Sequence, residues 1–304
     1  MAFREAMIAQ RLAGERLHLS HGPMDVVLRG WGAAHEVAAA ELAAAARFAT
    51  ILQELVAELP TLRAAVGAET RLDGPVARRM LAGCLPFARQ GVFVTAMAAV
   101  AGAVADEVLA AMRAAAPGLR RAYVNDGGDI AVFVAPGESL TLGMVADPAG
   151  SPARAGGCAR GPVADFDGTL SLGHGMGIGG VATSGRHGRS FSLGIADAVT
   201  VLARDAATAD AAATLIANAV DVESPAVRRR AARALDPDSD LGDRPVTVSL
   251  GPLDEAEIAA ALDAGAARAE AWCRAGLIRG AALRLAGRAR IAGASVPALP
   301  EHAA

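Results

Sequence analysis

The hydrophobic pattern changes its period between residues 31 and 35, and this change limits the fold of the chain most strongly. Residues 7–31 alternate apolar and polar side chains in two runs, IAQRLAGERLHL and MDVVLRGW, which is typical of antiparallel strands with one buried face. Residues 35–59 are rich in alanine, their apolar positions recur at spacings of three and four, and Pro60 follows, as in a helix. The sequence therefore predicts the α+β class, with antiparallel sheets packed against alanine-rich helices.

The same patterns predict the remaining elements. Further strands are predicted at 91–95, 122–134, 140–146, 190–203 and 246–250. Further helices are predicted at 75–89, 97–114, 206–220, 225–235 and from 254 to about 274. Asp254 and Glu257 have the spacing of a capping box at the start of the last helix. A surface loop is predicted at 147–160 and a loose tail at 295–304, so residues 1–294 are expected to form one domain.

Two alanine-rich segments resemble each other. They are AVADEVLAAM at 103–112 and ATADAAATLI at 207–216, and each is an Ala-Asp helix preceded by a predicted strand. The likeness predicts two fused, related subdomains, roughly 1–150 and 151–294. Alanine-rich composition by itself produces similar segments, so that explanation also stays open.

The absence of lysine restricts the chemistry of the chain. All 29 basic residues are arginine, which excludes a Schiff-base lysine, a pyridoxal phosphate anchor and a Walker-type phosphate lysine. A net charge of −3 and an aromatic content of 3% give no basis for nucleic acid or an anionic membrane as a partner.

The cysteines and the apolar runs bear on localisation. Cys84, Cys158 and Cys273 are far apart and odd in number, which fits a reducing compartment. The first residues lack the apolar core of a signal peptide. The longest apolar run, at 91–105, has 15 residues, whereas a membrane span needs about 20. A cytoplasmic location is predicted.

An apolar strand at 122–134 contains the polar insert NDGGDI, at 125–130. The insert is either a hairpin turn or an interruption at which backbone amides meet a ligand. Residues 175–180 match GxGxxG, but VATSG follows in place of a helix, which argues against a Rossmann site. A flexible loop is one alternative. The other is a loop whose amides approach a phosphate, with the hydroxyls of Thr183 and Ser184 beside it.

Asp210 and Thr214 lie four residues apart on a predicted helix and so share one face. A carboxylate and a hydroxyl in this arrangement suit Mg²⁺, which prefers oxygen ligands. The alternative is that Asp210 caps the first turn and Thr214 packs. His21, His174 and His187 each lie beside glycine, and no pair has the spacing of zinc ligands.

Four motifs in order resemble the ApbE-like superfamily, whose best-known members are Mg²⁺- and FAD-dependent FMN transferases. The motifs are VAGAVAD at 100–106, NDGGDI at 125–130, VATSG at 181–185 and ADAAAT at 209–214. The resemblance implies a flavin nucleotide, FAD or FMN, between the Gly-Gly strand and the Ala-Thr-Ser-Gly loop. It favours an interrupted strand at NDGGDI and implies Mg²⁺ on Asp210 and Thr214. The implied nucleotide contacts are Asn125, Gly127, Gly128, Asp129, Thr183, Ser184 and Gly185.

The sequence departs from the transferases at two places. Where they carry Ala-Lys-Gly this chain has Ala101 and Gly102, and their His-His-Ile-x-Asp-Pro stretch is replaced by RHGRSFSLGIADAV. His187 and Asp197 remain as candidate catalytic residues, with His187 as the base. The predicted function is binding of FAD or FMN with Mg²⁺, followed by FMN transfer to an acceptor protein or by pyrophosphate cleavage. Alternatives are a non-catalytic cofactor-binding module and an enzyme for another small substrate in the same cleft. A homodimer is a candidate assembly.

Overall fold

The computed structural model describes residues 6–144, 168–188 and 190–293. Cys158, the predicted loop at 147–160 and the predicted tail at 295–304 lie outside these ranges. The helices are α1 (Ala34–Ala57), α2 (Leu59–Leu62), α3 (Pro75–Ala88), α4 (Val100–Ala115), α5 (Ala206–Ala219) and α6 (Glu255–Arg274). The first seven strands are β1 (Ile8–Leu12), β2 (Arg16–His21), β3 (Met24–Trp31), β4 (Arg121–Asp126), β5 (Asp129–Val134), β6 (Ser139–Met144) and β7 (Gly168–Gly173). The others are β8 (Gly180–Ser184), β9 (Ala198–Ala203), β10 (Val227–Ala231), β11 (Pro245–Leu250), β12 (Gly280–Leu285) and β13 (Arg288–Ala292).

The chain divides into two compact units. Unit 1 comprises Met1–Leu140, Leu172–Ala182 and Ala203–Ala211, and unit 2 comprises Thr141–Ser171, Thr183–Leu202 and Ala212–Ala304. The division passes through β8 and α5, so the first part of each belongs to unit 1. The prediction of two related subdomains stays a prediction.

Unit 1 is an antiparallel sheet covered by helices. Its strand order is β1-β2-β3-β4-β5-β8. The predicted alternation is confirmed in β2 and β3, which bury every second side chain. The first predicted run is divided into the paired strands β1 and β2, and β1 is mostly exposed. Helix α1 packs on α4, and α4 packs on β4 and β5. On α1 the buried residues Ala44, Phe48, Ile51 and Leu55 are spaced by three and four, and each large apolar side chain contributes about 1.5–3 kcal/mol when buried.

Unit 2 places α6 against an antiparallel sheet with the order β9-β12-β13. The predicted capping box at the start of α6 is confirmed. The Asp254 carboxylate accepts from the Glu257 amide at 2.8 Å, and the Glu257 carboxylate accepts from the Asp254 amide at 2.9 Å. Trp272 on α6 is among the largest fully buried side chains. Strands β10 and β11 form a separate antiparallel ribbon.

Two predicted elements are wrong. Residues 91–95 form no strand, and Thr95 makes a single bridge with Ala65. Val94 and Thr95 are instead buried without strand pairing, and the Cys84 thiol of α3 donates to the Thr95 carbonyl oxygen at 3.4 Å. Residues 225–235 are not a helix, because β10 pairs with β11 and a short 3-10 turn follows. Strand pairing here overrides local helix propensity. Strands β12 and β13 have no counterpart among the predicted elements.

The insert NDGGDI is a hairpin turn, and the strand interruption favoured by the resemblance is wrong. Asp126 pairs with Asp129 across the β4–β5 hairpin, with Gly127 and Gly128 as the two-residue loop. Their φ values are +65° and +118°, a backbone conformation that favours glycine and matches the twist of a tight hairpin. No helix in the described part of the chain is both long enough and apolar enough to cross a membrane.

Candidate functional site

Helices α4 and α5 cap each other in unit 1. Asp106 lies on α4, and its two carboxylate oxygens accept from the backbone amides of Ala206 and Ala207 at 3.0 and 2.9 Å. Asp210 lies on α5 and accepts from the Gly102 amide in the first turn of α4 at 3.0 Å. The first amides of a helix have no partner within the helix, and its positive end favours a carboxylate. The two aspartates therefore stabilise the start of each other's helix.

The two helix starts approach each other closely at Gly102. A Cβ at Gly102 would lie 2.2 Å from the Ala206 carbonyl oxygen, which is far inside van der Waals contact. Gly102 lies four residues before Asp106, and Ala206 lies four residues before Asp210. The contacts are thus reciprocal at matching positions of the two similar segments. This symmetry is what a duplication would produce.

The carboxylates at this helix pair influence each other. Burial, with a smaller contribution from the Asp205 carboxylate, raises the pKa of Asp106 to about 7, against the opposing effect of the Ala207 and Ala206 amides. Burial also raises the pKa of Asp210, against the effect of the Gly102 amide, with a further contribution from the carboxylates of Asp126 and Asp106. The ionised forms of both carboxyl groups are therefore disfavoured, and the arrangement favours a proton or a cation.

Asp126 is a member of this cluster that the sequence reasoning missed. It is only 4% exposed and follows the buried residues Ala122 and Val124 on alternate positions of β4. The predicted contact Asn125 lies on the other face of β4, where its side-chain oxygen accepts from the Gly128 amide at 2.9 Å. The alternation along β4, which places Ala122, Val124 and Asp126 on one face, could have indicated from the sequence that Asp126 is buried. Asp129, also predicted, is half-buried at the start of β5.

The glycines at the start of β8 are required for packing in unit 1. A Cβ at Gly179 would lie 2.3 Å from the Arg204 carbonyl oxygen, and one at Gly180 would lie 2.2 Å from the Asp205 carbonyl carbon. These glycines let β8 pass against the backbone just before α5. Gly175 differs, because a Cβ there would meet no atom within 4 Å. The close approach of the two backbone segments therefore explains why positions 179 and 180 are glycine. No bound ligand is needed to explain these two glycines.

Thr183 and Ser184 of unit 2 point to opposite faces of β8, as adjacent strand residues do. The Thr183 hydroxyl lies 2.8 Å from the Thr200 hydroxyl on β9. The Ser184 hydroxyl accepts from the Thr214 hydroxyl on α5 at 3.3 Å. Of these two predicted nucleotide contacts, Ser184 is therefore the one beside the predicted metal ligand Thr214.

The loop after β8 in unit 2 is organised around Asp197. Its Oδ1 accepts from Arg186 Nε at 2.8 Å and lies 3.4 Å from His187 Nε2, and its Oδ2 accepts from the Ala286 amide at 2.6 Å. The predicted contact Gly185 is buried, and a Cβ there would lie 2.3 Å from the Asp197 carbonyl oxygen. The Asp197 carboxylate therefore lies beside the exposed His187 ring, and a histidine next to a carboxylate can serve as a general base.

The donor set at the predicted metal position fits Mg²⁺ in type. Asp210 and Thr214 are one turn apart on α5, and Mg²⁺ is commonly held by one or two carboxylates with several waters and substrate phosphates. Among the described residues there is no group of three or more His, Cys, Asp or Glu side chains arranged to hold a metal ion. A metal at Asp210 would therefore depend on hydroxyl, backbone, water or phosphate oxygens for its other ligands.

Two UPF0280 proteins are similar to this chain in sequence. The one from Methanothrix thermoacetophila is 41% identical over 125 residues, which cover 41% of this chain and 45% of that protein. The one from Methanopyrus kandleri is 34% identical over 202 residues, which cover 65% of this chain and 72% of that protein. The match thus spans a little under half the length of the first relative and nearly three quarters of the second.

Two solved structures resemble the chain more distantly. The apo form of the flavinyl transferase ApbE from Pseudomonas stutzeri has 14% identity and a TM-score of 0.41, covering 96% of this chain and 95% of that one. The ApbE protein from Thermotoga maritima has 15% identity and a TM-score of 0.34, covering 70% and 86%.

The sequence model of the family described as AbpE bacteria matches residues 7–291, nearly the whole chain. This match confirms the ApbE-like resemblance that the four motifs predict. The chain belongs to the AbpE bacteria family.

Proposed function

We propose that this protein binds a flavin nucleotide, FAD or FMN, together with Mg²⁺, cleaves the pyrophosphate of FAD and transfers FMN to an acceptor protein. The observation that carries the proposal is the reciprocal capping of α4 and α5, which brings Asp106 and Asp210 to two helix starts with Asp126 within electrostatic reach. Membership in the AbpE family supports a flavin nucleotide, because the ApbE-like superfamily is best known for FAD-dependent FMN transferases.

The proposed Mg²⁺ ligands are Asp210 and Thr214. When bound, the metal would neutralise pyrophosphate oxygens and polarise the bond that breaks. Asp210 must be ionised to serve as a ligand, and burial opposes that ionisation, together with the neighbouring carboxylates of Asp126 and Asp106. This opposition supports a cation at the cluster, because a positive charge relieves the repulsion.

The proposed nucleotide contacts in unit 1 lie at the β4–β5 turn, formed by Asn125, Gly127, Gly128 and Asp129. The Gly128 amide already donates to Asn125, so this amide is held inside the turn. A Cβ at Gly128 would meet no atom within 4 Å, and the turn is therefore open to a ligand on that side. In unit 2, Ser184 and Gly185 are the proposed contacts, since Ser184 bonds to Thr214.

Transfer to an acceptor requires removal of a proton from the attacking hydroxyl. We assign this role to His187, because Asp197 lies 3.4 Å from its Nε2 and the ring is exposed. Positioned general bases contribute about 10²–10⁴-fold to rates. In the balanced reaction the acceptor oxygen bonds to the phosphorus of the FMN half, the pyrophosphate bond breaks, and AMP leaves.

One observation favours a non-catalytic alternative, in which the protein holds or delivers the nucleotide. Asp197 is already bound to Arg186 and to the Ala286 amide, which is also what a purely structural carboxylate would do. The alternative keeps the same nucleotide and metal residues and removes only the chemical step.

The reaction products distinguish the two functions. The purified full chain is incubated with FAD and Mg²⁺, and AMP and FMN are separated chromatographically. With water in place of the acceptor hydroxyl, we expect release of AMP and FMN that stops in EDTA and in Asp210→Asn. FAD binding without AMP would support the non-catalytic alternative. If neither FAD nor Mg²⁺ at millimolar concentration changes the Tm, both functions are excluded.

A further inference from the structure

Two nitrogens of the Arg284 guanidinium, in unit 2, have no hydrogen-bond partner among the described residues. Arg284 lies on β12 and is partly buried, and its Nε and one terminal nitrogen are shielded from solvent without a partner in the described part of the chain. A guanidinium has five N–H donors and no acceptor. Leaving such donors unpaired away from water is unfavourable. The side chain therefore has an unmet requirement for an oxygen acceptor, and an anion would meet it best.

The strand register places two hydroxyls on the same face of the sheet as Arg284. Thr200 of β9 pairs with Ala282 of β12, and Ala282 and Arg284 are two residues apart, so all three point to one face. Diagonal neighbours of this kind have Cα atoms about 7–8 Å apart, within reach of a long side chain. The Thr200 hydroxyl is itself 2.8 Å from the Thr183 hydroxyl.

This face is opposite to the one covered by α6. A Cβ at Gly265 of α6 would lie 2.8 Å from Leu283 Cδ2, and Leu283 alternates with Arg284 on β12. The direct strand partners of Arg284 are Ala198 and Ala289. Both are alanines, so neither direct strand partner offers the guanidinium a side-chain acceptor. Thr183 is exposed, which opens the hydroxyl pair to solvent.

We propose that Arg284, Thr200 and Thr183 form a binding site for a phosphate-type oxyanion. When one threonine hydroxyl donates to the other, the accepting hydroxyl keeps its own proton for a ligand. That proton and two N–H groups of Arg284 supply three donors, which matches the three oxygens that a phosphate presents to one side. All three residues of the site belong to unit 2.

The test is a titration of the metal-free full chain with inorganic phosphate in EDTA, followed by calorimetry and by the Tm, with sodium chloride at equal ionic strength as the control. We expect saturable phosphate binding and a rise in Tm that chloride does not produce. Arg284→Met should weaken phosphate binding at least about 100-fold, and Thr200→Val about tenfold. Arg284→Lys should retain weaker binding. Glycerol 3-phosphate distinguishes a phosphate ester, which would bind more tightly than inorganic phosphate, from the free ion.

Arg284→Met also separates a binding role from a structural one. Without phosphate, the variant should have a Tm equal to or above that of the wild type, because it removes unpaired buried donors. A purely structural arginine would lower the Tm when replaced. The proposal is overturned if phosphate and chloride give equal shifts in the wild type, or if Arg284→Met binds phosphate as well as the wild type does.

Discussion

Asp106 and Asp210 each accept hydrogen bonds from the first turn of the helix that carries the other. This exchange joins two segments about a hundred residues apart in the chain. It places two carboxylates with raised pKa values at two helix starts. A structural capping role and a cation-binding role are compatible here, because a carboxylate oxygen that accepts from an amide keeps a second lone pair for a ligand.

The close contact between the two helix starts predicts that Gly102→Ala is strongly destabilising. The new Cβ would lie 2.2 Å from the Ala206 carbonyl oxygen, and a backbone atom cannot move aside as a flexible side chain can. Urea unfolding should show a loss of about 3 kcal/mol or more. Gly175→Ala is the matched control, since its Cβ meets no atom within 4 Å. A loss of similar size in the control, or none at Gly102, would contradict the contact.

The buried carboxyl of Asp106 predicts a pH-dependent stability. Its pKa is raised to about 7 in the folded protein, above the ordinary value of about 3.9, so the folded state binds the extra proton between these values. The contribution of Asp106 to stability is therefore fully present below about pH 4 and is lost as the pH rises through about 7.

The measurement is urea unfolding between these pH values in EDTA, for the wild type and for Asp106→Asn. As the pH rises, the titration of Asp106 should lower the free energy of unfolding of the wild type by up to about 1.4 kcal/mol per pH unit. The variant should lose that slope. An identical pH dependence in the two proteins would show that Asp106 titrates normally.

Thr208 on α5 provides a control for the metal ligand Thr214. Thr208 is 3% exposed, and its hydroxyl is buried without a hydrogen-bond partner in the described ranges. Thr208→Val keeps the shape of the side chain and should raise stability by about 1 kcal/mol, because an unsatisfied hydroxyl is removed. It should leave the response of the Tm to Mg²⁺ unchanged, whereas Thr214→Val should reduce that response. Equal effects of the two substitutions would count against Thr214 as a ligand.

The assignment of His187 as the base predicts a loss of turnover without loss of binding. His187→Ala should lower the rate of AMP release about 10²–10⁴-fold, while the affinity for FAD with Mg²⁺ stays within about twofold. His174→Ala is the control, because the His174 ring is bound to the Val134 carbonyl at 2.8 Å. Full activity in His187→Ala would remove the proposed role.

The sequence predicted best those elements whose structure depends on residues close together in the chain. The first strands, α1 and the capping box at Asp254 were all predicted, since alternation, helical spacing and capping are local patterns. The ribbon at β10 was missed because its arginine-rich strand is determined by pairing with β11, some fifteen residues further on. The hairpin at Gly127 and Gly128 was a stated alternative, and the family resemblance led to the wrong choice.

The candidate site was only partly predictable for a similar reason. The four-residue spacing of Asp210 and Thr214, which places them on one face of a helix, can be read directly from the sequence. The roles of Asp106 and Asp126 depend on contacts across the fold, with amides at 206 and 207 and with the carboxylate at 210. Contacts between residues far apart in the chain follow no fixed sequence spacing, so a single sequence does not reveal them. Adjacent residues of a strand point to opposite faces, so the opposite orientations of Thr183 and Ser184 follow as soon as β8 is known to be a strand.

The binding of FAD as a function of Mg²⁺, measured by isothermal titration calorimetry on the full chain, tests the central claim most directly. The proposal predicts that FAD binds with Mg²⁺ and at least about tenfold more weakly in EDTA. It also predicts that Asp210→Asn removes the dependence on Mg²⁺, while Thr208→Val preserves it. Equal FAD affinity with and without Mg²⁺, or a full Mg²⁺ response in Asp210→Asn, would contradict a metal-dependent flavin nucleotide site at α4 and α5.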